Sequence, residues 1–175
     1  GNYKLSGTSY TKAGATITKA TGTISLTART ETYTGSAISA NTATTNSKGT
    51  VSYTYYSGDS CSGTALTSTP TNAGTYSVKA TVAATTNYTS ATSSCVKHTI
   101  NTKSLTPTAT ASNKTYNGNT TATCTISLTG VVTGDTVTAT AGSGAFADKN
   151  VGTGKTVTCS SITLAGADKG NYTLS

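Results

Sequence analysis

The chain has 175 residues, enough for one large domain or two small ones. Threonine is its commonest residue, tryptophan and methionine are absent, 10% of residues are charged and the formal net charge is +7. The cations are scattered singly from Lys4 to Lys169, which excludes the cationic patch with aromatic platforms that a nucleic-acid interface needs, and no apolar run approaches membrane-spanning length.

Taken in chain order, ATITKA at 15–20 reads as a strand, followed by ISLTA at 24–28, VSYTYY at 51–56, YSVKATVA at 76–83 and TVTATA at 136–141. These runs alternate with the period of two that puts every second side chain on one face. Threonine suits them, because its β-branched carbon restricts χ1 in extended backbone. Clusters of Gly, Asn and Pro separate the runs at intervals typical of a sandwich. The reading is an all-β chain of antiparallel sandwich type.

The chemistry-bearing residues are sparse. VGTGKT at 151–156 lacks the first glycine of a phosphate-binding loop, since Lys149 stands there, and TVTCSSITL after it reads as strand rather than helix. His98 lies in the alternating run SCVKHTIN and reads as a strand-surface histidine. Glu31, Asp59, Asp135, Asp148 and Asp168 are too dispersed for a glycosidase pair or a Ca²⁺ loop, leaving only a weak cation site near Asp135 or Asp148 to consider. No catalytic residue, cofactor or metal is expected, and the chain does not read as an enzyme.

Two phrases recur in register. Asn-Tyr stands at 2–3, 87–88 and 171–172, a spacing of about 85 residues. ETYTG at 31–35 and KTYNG at 114–118 place Tyr33 and Tyr116 two residues before Gly35 and Gly118. Duplication explains both, so the chain divides into two β units at 21–103 and 104–175. Residues 1–20 read as the terminal strand of a preceding unit. NAGTYSV at 72–78 has the spacing of the tyrosine corner of Ig-like sandwiches, with Asn72, Gly74 and Tyr76 in the key places. Each unit is therefore expected to be Ig-like.

Cys61, Cys95, Cys124 and Cys159 contain no CxxC pair, and their even number points to an oxidising, extracellular compartment. Three pairings are possible. Cys61 with Cys95 and Cys124 with Cys159 keeps each bridge inside one unit and is the expected one.

FADKNVGTGKTVT at 146–158 and LAGADKGNYTLS at 164–175 resemble the YDG repeat of bacterial surface proteins, with Tyr116-Asn117-Gly118 in place of its Tyr-Asp-Gly. TPTNAGTYSVKATVAATTNYTSA at 69–91 resembles the MBG class of Ig-like repeats. The resemblance implies a secreted, adhesin-like array. It makes GNYKLS at 1–6 the closing phrase of a preceding YDG-like unit and leaves the unit at 104–175 without its last strand. The expected function is a structural repeat of an extracellular fibre or giant surface adhesin. Its partners would be copies of itself, joined head-to-tail by ATITKA, either as a covalent continuation or as a strand donated between separate subunits, with an advance of roughly 60–80 Å per period. The alternative is an adhesive module that binds a glycan or host protein through Tyr53, Tyr55 and Tyr56.

Overall fold

The computed structural model describes residues 13–175, so GNYKLS lies outside the described residues. The described chain is nearly all β. Its first half holds β1 (Ile24–Ser25), β2 (Arg29–Thr32), β3 (Thr44–Thr45), β4 (Val51–Ser57), β5 (Gly74–Val82), β6 (Ala91–Thr92) and β7 (Val96–Asn101). The second holds β8 (Lys103–Ala111), β9 (Cys124–Thr129), β10 (Thr138–Phe146), β11 (Val157–Ala165), a 3-10 turn at Lys169–Asn171 and β12 (Tyr172–Leu174).

In the first half β5 is the central strand. It runs antiparallel to β4 and to β7, with Tyr55 opposite Val78 and Tyr76 opposite His98. Strand β2 joins the other edge of β7 in parallel, so β7 is held between β2 and β5. The short pair β1–β3 supplies a second layer. Alternation in β4 and β5 has its usual cause here: Tyr55, Val78 and Ala80 point into one core cluster with Leu26. Because β5 is covered on both faces, Ser77 is buried as well, and its hydroxyl accepts the Cys61 amide at 2.8 Å.

In the second half β8 pairs with β9 antiparallel and, at Lys103–Leu105 only, with β12 in parallel. Strands β10 and β11 form a separate hairpin. Disulfides join Cys61 to Cys95 and Cys124 to Cys159, so each lies within one half. The second bridge dictates a glycine. A Cβ on Gly144 would stand 2.6 Å from both the Cys124 sulfur and the Ala122 carbonyl oxygen, so only glycine lets β10 pass this close.

No ladder among the described strands joins the two halves, yet a core does. Tyr33, Ile38 and Ile100 of the first half are buried in one cluster with Leu105 and Tyr172 of the second. Only Thr102 separates β7 from β8, so the chain passes directly from one sheet into the next.

The two Asn-Tyr phrases among the described residues share a structural role. Tyr172 opens β12 and pairs in parallel with Lys103, where the chain enters the second half. Tyr88 forms a parallel bridge with Ala20, where the chain enters the first. Ala20 thereby donates its amide to Asn87 at 2.8 Å and accepts that of Thr89 at 2.9 Å. The strand expected over ATITKA differs from this. Only Ala20 is paired, and it pairs within its own chain; residues 15–19 belong to no ladder and are exposed, with Ile17 99% accessible. An extended segment becomes a strand only where a neighbour supplies the ladder, and the described chain supplies none beyond Ala20.

Candidate functional site

The two Tyr-x-Gly phrases fold alike. Gly35 and Gly118 have φ of +80° and +79°, in the left-handed region that glycine enters without a Cβ clash. In each phrase the middle side chain closes the turn. Thr34 Oγ1 accepts the Ser36 amide and Asn117 Oδ1 accepts the Asn119 amide, both at 3.4 Å. An asparagine oxygen does this as well as a carboxylate.

Their surroundings differ completely. Tyr33 is 4% exposed and sits at the joint between the halves, whereas Tyr116 is 59% exposed at the far end of the second. Tyr33 Oη donates to Asp135 Oδ2 at 2.8 Å, and Tyr172 Oη donates to the same oxygen at 2.5 Å while accepting the Val132 amide at 3.0 Å. The two rings meet edge-on, with centroids 5.4 Å apart. Burial pushes the Tyr33 phenol up to about 12, and its bond to the Asp135 carboxylate holds the proton further. Tyr172 is raised by the same two causes, with the Val132 amide opposing.

The tyrosine corner borders this joint. Tyr76 Oη donates to the Asn72 carbonyl at 3.0 Å, and the ring folds over Gly74, where a Cβ would lie 3.3 Å from Tyr76 Oη. The buried Asn171 of the second half reaches across. Its Oδ1 accepts the Ala73 amide at 2.8 Å, and its Nδ2 donates to Asn72 Oδ1 at 3.3 Å. The corner and the third Asn-Tyr phrase are thus one interlock. Both phrases are visible in the sequence, but their meeting depends on tertiary packing that it does not show.

At the other end of the second half lies an open groove of about 990 Å³. One wall is the run Ala109–Tyr116 and the other is Gly152–Lys155 with Val157 and Cys159 of β11, with Phe146 at the base. Among the described residues, no strand continues along the β12 edge of β8 past Leu105, and none joins the outer edge of β11; the opposite edge of β8 is taken by β9. Ala109 and Ala111 are consequently exposed although their alternation in β8 matches that of buried Leu105. Unpaired edges of this kind are templates for another chain.

A family model described as the YDG domain matches residues 101–175. Residues 101–175 are a YDG domain. No curated protein and no solved structure matches the chain. The YDG domain begins on the last residue of β7 and contains both the Tyr116 phrase and the groove.

The remaining candidates are occupied elsewhere. His98 is not on the surface: it is fully buried on β7, where Nε2 donates to the Ile38 carbonyl at 2.9 Å and Nδ1 has no partner among the described residues. The expectation failed because β7 lies inside a sheet, with His98 edge-on to Tyr55. The hydroxyls of Tyr53 and Tyr55 accept the amides of Ala43 and Ala40, so these rings face inward rather than forming an exposed patch with Tyr56. VGTGKT is the loop entering β11, and Lys155 pairs with Asp148 at 2.6 Å. Asp135, once a candidate for a cation, is engaged by two phenols. Among the described residues no helix is long and apolar enough to cross a membrane, and no group of three metal-ligating side chains occurs. Two disulfides are compatible with an extracellular setting.

Proposed function

We propose that this chain is a structural repeat of an extracellular fibre or giant surface adhesin, whose copies join head-to-tail through a strand that completes the neighbouring unit. In this reading residues 21–103 are an MBG-like Ig-type unit preceding the YDG domain. One observation carries it: the joint inside the chain, where Tyr33 is buried against the next unit, has an open counterpart around Tyr116. A surface that repeats along the chain but does not face itself makes a heterologous contact, and such contacts extend as open chains. The two disulfides suit small units with few aromatic side chains that work outside the cell.

Sedimentation of the purified chain over a wide concentration range tests the proposal. Assembly growing without a fixed stoichiometry is the expected result. A monomer at every concentration, or a closed dimer, contradicts it.

A further inference from the structure

The groove in the YDG domain and the exposed segment before Ala20 are two halves of one joint, because the chain contains that joint once already completed. Ala20 and Lys103 occupy equivalent places, each paired in parallel with the Tyr of an Asn-Tyr phrase. Counting back three residues from each gives Ile17 and Ile100, and both are preceded by threonine, Thr16 and Thr99. The separation of 83 residues between Ala20 and Lys103 also relates Tyr33 to Tyr116 and Gly35 to Gly118. Equivalent positions are therefore fixed by backbone pairing and by two sequence phrases independently.

Their burial is opposite. Ile100 is 2% exposed, in the cluster with Tyr33, Leu105 and Tyr172. Ile17 is 99% exposed, and Tyr116 is 59% exposed. Around Ile100 the arrangement is specific: β7 runs between β2, to which it is parallel, and β5, to which it is antiparallel. Ile100 stands opposite Glu31 on one side and Gly74 on the other. In the YDG domain the counterpart of β2 is Ser112–Thr115, which belongs to no ladder, and the counterpart of the β4–β5 hairpin is β10–β11. The groove lies between those two elements. It is open where β7 would be.

Resting on the head-to-tail reading above, we infer that the groove is a strand-accepting site for residues 15–18 of a second copy of this chain, inserted parallel to Ser112–Thr115 with Ile17 opposite Lys114. The directions agree. The arm leaves the end of the first half that carries Tyr88, and β5 runs from the joint at Gly74 toward that end at Val82. A strand parallel to β8 travels away from the internal joint and out of the groove's far end, into the first half of the next copy. Main-chain hydrogen bonds to both walls supply affinity, and alternate side chains supply specificity, as in other strand additions. Ile17 enters the apolar side with Phe146, Ala109 and Val157 while Thr16 and Thr18 face out, following the period of two. Insertion covers Ile17 and the Tyr116 ring together, as Ile100 and Tyr33 are covered at the internal joint.

The test is an engineered cross-link. In Ile17→Cys/Lys114→Cys, mild oxidation is expected to give a ladder of multimers on a non-reducing gel, whereas either single variant stops at dimers. Ile17→Asp is a second test that leaves the fold intact, since the side chain is exposed in the single chain: its thermal midpoint should be unchanged while the concentration needed for assembly rises at least about tenfold. If the double variant closes the cross-link inside one chain, or gives no ladder while the parent chain still forms fibres, the site is wrong and the fibre reading stands. If the parent chain forms no assembly at all, the fibre reading fails and the site with it.

Discussion

Replacing Tyr172 with phenylalanine removes one hydroxyl and breaks two bonds at the joint. The hydroxyl donates to Asp135 Oδ2 and accepts the Val132 amide, and Tyr172 is 4% exposed, so water cannot readily take its place. A hydrogen bond to a charged group contributes about 1.5–3 kcal/mol, and an amide left unpaired in a buried place costs about 1–3 kcal/mol. Allowing for partial relaxation, Tyr172→Phe should destabilise by roughly 2–4 kcal/mol, or about 5–15 °C in the thermal midpoint of a chain this long. Tyr33→Phe loses only the bond to Asp135, keeps the edge-on ring contact, and should cost less, about 1–2 kcal/mol. Because both phenols share one oxygen, the double variant should depart from additivity by at least about 0.5 kcal/mol. Calorimetry and denaturant titration of the four proteins measure all of this. A change of less than about 0.5 kcal/mol in Tyr172→Phe would refute the argument that the halves are locked by this cluster.

Further outcomes follow from the same structure. Reduction of both disulfides, each closing a span of 34 or 35 residues, should lower the midpoint by many degrees, since chain entropy assigns each about 4 kcal/mol; an unchanged midpoint after confirmed reduction would place the stability elsewhere. Tyr33 holds its proton up to about 12 in the fold against about 10 when unfolded, so its contribution is complete below pH 10 and is lost as pH rises from 10 to 12, and Tyr33→Phe should blunt that alkaline loss in midpoint-versus-pH curves. Burial, more than the neighbouring Arg29 guanidinium, holds His98 below its ordinary value while the Ile38 carbonyl opposes; its share of stability is present above about pH 6.5 and falls as the unfolded chain takes up the proton at lower pH. A midpoint that does not fall between pH 7 and pH 5 would contradict that sign.

Much of the fold was legible in the sequence because its units are small and their signals local. Alternation located β4, β5 and the first part of β10, and the spacing from Asn72 to Tyr76 announced a corner whose hydrogen bond is present. The Tyr-x-Gly phrases marked turns whose glycines require positive φ. What escaped depends on pairing between distant segments. His98 looked like a surface residue because alternation gives a face but does not say that β2 and β5 flank it. ATITKA had the pattern of a strand and lacks a ladder, since a strand is a property of two segments. The site itself was hidden for the same reason. Thr16-Ile17 and Thr99-Ile100 are too short a match to stand out as a repeat; only the bridge of Ala20 to Tyr88 aligns them, and only burial shows that one is covered and the other open.

Electron microscopy of the assembled chain tests the central claim most directly. Filaments should show beads in pairs repeating at roughly 60–80 Å, and a reconstruction should place residues 15–18 of one copy between Ser112–Thr115 and β11 of the next. Particles of fixed size, or filaments in which that groove stays open, would contradict the account.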